Sequence, residues 1–144
     1  QQIDGGPYFR STGLGRGVAL LDFNKDRKID IAVVHQDKPL ALLQNTAPHP
    51  ELLEIRLLGI QSNRDAVGAI IDVATDRGVS RQWNTGTSGF MATNERCFRF
   101  HVPAAGVSRI DITWPAGHVT TIHPEQGASS LLIREDGRSF ANPL

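Results

Sequence analysis

From Glu51 onward apolar and polar residues alternate along the chain. Leu53, Ile55 and Leu57 fall on one side of an extended backbone, while Glu54 and Arg56 fall on the other. Ala69, Ile71 and Val73 repeat the pattern with Asp72 pointing away. Phe98, Phe100 and Val102 alternate with Arg99 and His101, and Ile110, Ile112 and Trp114 alternate with Arg109, Asp111 and Thr113. Val79, Arg81 and Trp83 share a face of mixed character, and two shorter runs follow at Val119–Ile122 and Ser130–Arg134. A period of two with one polar face describes antiparallel strands packed on a single side. About seven such strands, separated by turn signals, predict an all-β chain built on an antiparallel β-sandwich. No stretch carries a helical period. Trp114-Pro115-Ala116-Gly117-His118 reads as a tight hairpin, with Pro pre-set for the second turn position and Gly able to take a positive φ. The alternation assigns Trp114 to the core.

Ahead of this region, Ala47-Pro48-His49-Pro50 reads as a linker, because its prolines fix φ and donate no ladder hydrogen bond. The expected division is therefore 1–46 and 51–144. Residues 1–16 are polar and glycine-rich and read as an extended lead-in. Gly13, Gly15 and Gly17 are not a dinucleotide fingerprint, since no strand precedes them and no helix follows. Three short apolar runs come next, at Val18–Leu21, Ile31–Val34 and Leu40–Gln44. They predict a β-meander, a partial propeller blade whose missing fourth strand leaves an unpaired edge. A preceding blade of a longer chain or a second copy is expected to cover that edge.

Between the first two runs lies Asp22-Phe23-Asn24-Lys25-Asp26-Arg27-Lys28-Ile29-Asp30. Asp22, Asn24, Asp26 and Asp30 place hard oxygens where a curled loop can aim them at one centre, with the Lys28 carbonyl as a main-chain ligand, as Ca²⁺ requires. The loop is not an EF-hand. Its twelfth position is Val33 rather than a bidentate Glu, and its flanks read as strands. Arg27 stands where the chain turns sharply and Gly is usual, and a left-handed conformation there costs roughly 1 kcal/mol. Lys25, Arg27 and Lys28 add positive charge among the carboxylates. The same residues also suit a polar hairpin turn that holds no ion.

Residues Gly17 to Asn45, through Gly17-Val18-Ala19-Leu20-Leu21-Asp22-Phe23-Asn24-Lys25-Asp26, resemble a VCBS/FG-GAP repeat, the calcium-loop blade of integrin-type propellers. Residues from Leu52 to about Glu135 resemble an ASPIC/UnbV domain of the cartilage acidic protein-like family. The carrying segments are Ser62-Asn63-Arg64-Asp65-Ala66-Val67-Gly68-Ala69 and Ile112-Thr113-Trp114-Pro115-Ala116-Gly117-His118-Val119. The first resemblance implies calcium ligands at Asp22, Asn24, Asp26, Lys28 (main chain) and Asp30, with Arg27 replacing the repeat's loop glycine. The second implies an extracellular adhesion or interaction role without established catalytic residues. Read physically, 62–69 is an irregular connection held by local hydrogen bonds from Asn63, Arg64 and Asp65, with Gly68 returning the chain to the sheet. A ligand or partner contact is the other reading of that segment.

Composition narrows the remaining options. The 144 residues carry 15 basic and 15 acidic side chains, so no basic stripe exists to neutralise phosphates and nucleic acid is not an expected partner. No apolar run approaches the ~20 residues of a membrane span. Cys97 stands alone, without a disulfide partner or an evident activating base. Gly86-Thr87-Ser88-Gly89-Phe90 matches a nucleophile elbow only in part and reads as a glycine-rich turn. His118 and His123 lack a third metal ligand nearby. Trp83 and Phe90, around that turn, are the candidates for stacking on a sugar ring. The reading is a non-catalytic, secreted or periplasmic module with structural Ca²⁺ that recognises another protein or an extracellular polymer. The alternative is a carbohydrate-binding module.

Overall fold

The computed structural model describes residues 6–48, 52–87, 89 and 93–141. Apart from one helical turn, α1 (Pro7–Arg10), its regular elements are strands. That turn was not expected. Pro7 sits at its first position, where the missing N–H costs nothing and the fixed φ suits a helix. The chain forms two compact units: Gln1–Ala47 with Thr87–Glu95, and Pro48–Gly86 with Arg96–Leu144.

The first unit is an antiparallel meander in the order β1 (Gly15–Leu21), β2 (Asp30–His35), β3 (Ala41–Leu43). Both faces are apolar. Val18 pairs with the buried Val33 and Leu20 with Ile31 on one face, while Val34 and Leu42 are exposed on the other. The edge strand β1 is met at Leu20 from within the unit. Leu20 N–H donates to Asn94 Oδ1 at 2.9 Å, and Glu95 N–H donates to Leu20 O at 3.4 Å.

The second unit is a β-sandwich of two four-stranded sheets. One runs β11 (Ser139–Ala141), β10 (Ser130–Arg134), β4 (Leu52–Leu58), β7 (Phe98–His101). The other runs β6 (Gly78–Trp83), β5 (Ile70–Thr75), β8 (Arg109–Thr113), β9 (Val119–Ile122). Their inner faces bury Leu53, Ile55, Ile71, Val73, Phe100, Ile110, Ile112, Trp114, Leu131 and Ile133. Each large side chain so buried contributes roughly 1.5–3 kcal/mol against solvation of its apolar surface. One pairing departs from the antiparallel expectation: β4 and β10 run parallel, with Leu131 beside Ile55 and Ile133 beside Leu57. Residue alternation reports which face is buried and is the same for either direction.

Trp114 is 1 % exposed, and its indole N–H donates to Thr120 Oγ1 at 2.8 Å. The hairpin after it closes as expected. Trp114 N–H donates to His118 O, Gly117 N–H donates to Trp114 O, and Gly117 takes φ 95°. Glu54 falls on the outward parity of β4 yet is 2 % exposed. Its charge is met by Arg99, directly opposite on β7, with Nε to Oε1 at 2.8 Å. Such a pair is costly to break, because the survivor is left buried and unneutralised.

Candidate metal centre

The loop between β1 and β2, residues 22–29, folds back on itself through its own side chains. Asp22 accepts from the N–H of Asp26 (3.1 Å) on Oδ1 and of Arg27 (2.7 Å) on Oδ2. Asn24 Oδ1 accepts from Asp26 N–H at 3.2 Å, and Asp26 Oδ1 accepts from Lys28 N–H at 2.9 Å. These side-chain acceptors replace the backbone partners that a tight loop cannot reach. They also hold two residues in the left-handed region, Lys25 at φ 61° and Arg27 at φ 67°. Each costs on the order of 1–2 kcal/mol relative to a right-handed conformation. The turn at Arg27 is thus made as expected, without glycine.

The result is convergence. One carboxylate oxygen from each of Asp22, Asp26 and Asp30 lies within 4.8 Å of the others. Asp30 is the anchor. It is 0 % exposed, accepts from Asn45 N–H at 2.7 Å on Oδ1, and takes a longer 3.4 Å contact from Phe23 N–H on Oδ2. It therefore joins the start of β2 to the loop and to the chain leaving β3. Asn45 had no place in the sequence reading. Asn24 stands beside the cluster and donates through Nδ2 to Asp26 Oδ2 at 3.0 Å. The Lys28 ammonium lies 3.9 Å from Asp26 Oδ2, a partial internal counter-charge. Three carboxylates this close repel one another unless cations compensate them. The donor set is all oxygen and hard, which fits Ca²⁺ rather than a transition metal.

The other candidates scatter. Trp83 ends β6 and is 58 % exposed. Phe90 and Ser88 lie outside the described residues, and Gly86 takes a turn value, φ 74°. His118 stacks on Trp114 with ring centroids 6.3 Å apart, whereas His123 Nδ1 donates to Ser108 O at 2.9 Å, so the two histidines serve different partners. Cys97 is half-buried.

A second built cluster was not anticipated. Glu135 is 4 % exposed, and its carboxylate accepts from the successive N–H groups of Ile60 (2.5 Å), Gln61 (2.6 Å) and Ser62 (2.8 Å) and from Ser62 Oγ (2.5 Å). His118 Nε2 lies 3.8 Å away, and Ser62 Oγ also accepts from Ala116 N–H at 3.2 Å. Burial pushes the Glu135 carboxyl up, but the Ser62 hydroxyl and the N–H groups of Ile60, Ser62 and Gln61 outweigh it and hold the group down at about 2. The hydroxyl meets the carboxylate directly, with no histidine between, so this is a loop lock rather than a nucleophile–base relay. One signal was present in the sequence. Leu131, Ile133 and Glu135 share an inward parity, and a charge at the next inward position calls for a dedicated set of donors. Asn63 plays its expected local role, donating from Nδ2 to Val67 O and accepting from Val67 N–H, each at 2.8 Å.

The family model described as ASPIC and UnbV matches residues 59–139, more than half of the chain. The matched span opens on the loop that Glu135 locks and takes in the Trp114–His118 hairpin. No curated protein matches the chain.

Proposed function

The chain belongs to the ASPIC and UnbV family, and from that membership we propose that it is a non-catalytic, extracellular interaction module whose meander is braced by a calcium ion. Asp22, Asn24, Asp26, Asp30 and the main-chain carbonyl of Lys28 would hold the ion, in the manner of a VCBS/FG-GAP repeat. The observation that supports this is the convergence of three carboxylates, one of them fully buried, on a loop already fixed by its own backbone donors. Bound calcium would neutralise that charge and pin the turn between β1 and β2. The work of the protein's own residues is to pre-form the loop, so that binding need not order it. Both faces of the meander present apolar side chains, Val18 and Leu20 on one and Val34 and Leu42 on the other. A neighbouring blade of a longer chain, or a second copy, is the partner such a sheet suits. Among the described residues no helix is long and apolar enough to cross a membrane.

Calcium titration followed by thermal unfolding tests the reading. Saturation at about a hundred times Kd should stabilise the meander by about 2.7 kcal/mol, seen as a rise in its melting temperature that magnesium does not reproduce. In Asp26→Ala the rise should vanish. A melting temperature indifferent to millimolar calcium would leave the loop as a polar turn and sink the proposal.

A further inference from the structure

The outer face of the sheet β6-β5-β8-β9 carries groups that neither the core nor the acidic loop uses. Strand register sets Trp83, Ile70, Thr113 and Val119 in one row across the four strands, and Arg81, Asp72, Asp111 and Thr121 in the next. The indole of Trp83 is more than half exposed. The Arg81 guanidinium carbon lies 6.0 Å from its ring centroid. Arg81 is itself fixed by a two-pronged pair to Asp72, Nε to Oδ1 and Nη2 to Oδ2, both 2.7 Å. Beside them Asp111 accepts from Arg109 Nε and Thr121 Oγ1, each at 2.8 Å. Two arginines and two aspartates cancel, so the patch is strongly polar yet neutral.

We propose that this face binds a neutral polysaccharide, with a pyranose ring stacked on Trp83 and its hydroxyls meeting Arg81, Asp72 and Asp111. An indole offers an apolar, electron-rich plane to the C–H groups of a sugar ring. The fixed carboxylates accept from hydroxyls, and the guanidinium donates to ring or hydroxyl oxygens. Because the pair to Asp72 already fixes Arg81, little of that side chain's freedom is lost on binding. A sulfated or phosphorylated polymer would meet the two carboxylates as well as the arginines. A dry apolar partner would strip four ionised groups of water and return nothing for them. The inference uses only the sandwich and stands whether or not the acidic loop binds calcium.

The test is native affinity electrophoresis through gels containing xylan, hydroxyethylcellulose or mixed-linkage β-glucan, with dextran sulfate as the charged comparison. At least one neutral gel should retard the protein. Trp83→Ala should weaken retention by roughly tenfold or more, Trp83→Tyr should recover part of it, and dextran sulfate should have no effect. Trp114 reports independently that each variant is folded, since its indole lies buried in the core and away from the substituted position. Free migration in every neutral gel, retention that survives Trp83→Ala in a folded protein, or equal retention by dextran sulfate would each overturn the proposal.

Discussion

Replacing Gly59 by alanine is expected to destabilise the sandwich by about 3 kcal/mol and to lower its melting temperature by roughly 10 °C. Gly59 is buried just past the end of β4, where its N–H donates to Arg64 O at 3.0 Å. A Cβ at this position would fall well inside van der Waals contact with the Asn63 carbonyl oxygen, 2.9 Å from the Asn63 carbonyl carbon and 3.1 Å from Ser62 O. All three obstacles are backbone atoms, so no side chain can swing aside. Moving the Asn63 carbonyl would also break its 2.8 Å bond from Ala66 N–H. Gly137→Ala supplies the control. Gly137 takes φ 87° but has nothing within 4 Å of a built Cβ, so it isolates the conformational cost of a left-handed alanine, about 1–2 kcal/mol. Denaturant unfolding followed by Trp114 fluorescence compares the two. If Gly59→Ala proves no worse than Gly137→Ala, the close approach is not what sets the residue.

The sandwich was legible because its inward positions are plain. Leu53, Ile55, Ile71, Val73, Ile110 and Ile112 all reach the core on the parity that alternation assigned. β11 escaped notice because Ser139, Phe140 and Ala141 are all exposed, so no apolar period marks them. The parallel pairing of β4 and β10 was hidden for a different reason, since strand direction leaves no trace in a two-residue period. In the acidic loop the convergence of Asp22, Asp26 and Asp30 followed from their spacing. The tie from Asn45 to Asp30 did not, because a backbone N–H carries no residue-specific signature. Glu54 shows the limit of alternation: parity placed it outward, and only the structure shows it buried against Arg99.

Acid should release the lock at Glu135, and Glu135→Gln should remove most of that sensitivity. The folded carboxyl is held at about 2 against an ordinary value of 4.5. A folded-state value below the unfolded one means that the unfolded chain binds the proton more readily. The stabilisation is therefore fully present above pH 4.5 and is lost as pH falls toward 2. Other carboxylates titrate in the same window, so the informative quantity is the difference between the two proteins. The melting temperature of the parent should fall more steeply from pH 5 to pH 2.5 than that of Glu135→Gln, and the two curves should approach each other at the acid end. At neutral pH Glu135→Ala should lower the melting temperature by roughly 10 °C, since three consecutive N–H groups and the Ser62 hydroxyl lose one shared acceptor. Hydrogen exchange locates the effect: the Ile60, Gln61 and Ser62 amides should lose protection before the Ile71 and Ile112 amides of the opposite sheet. Parallel pH curves for parent and Glu135→Gln, with those three amides still protected, would mean that the 59–62 loop is held by its own backbone and not by the carboxylate.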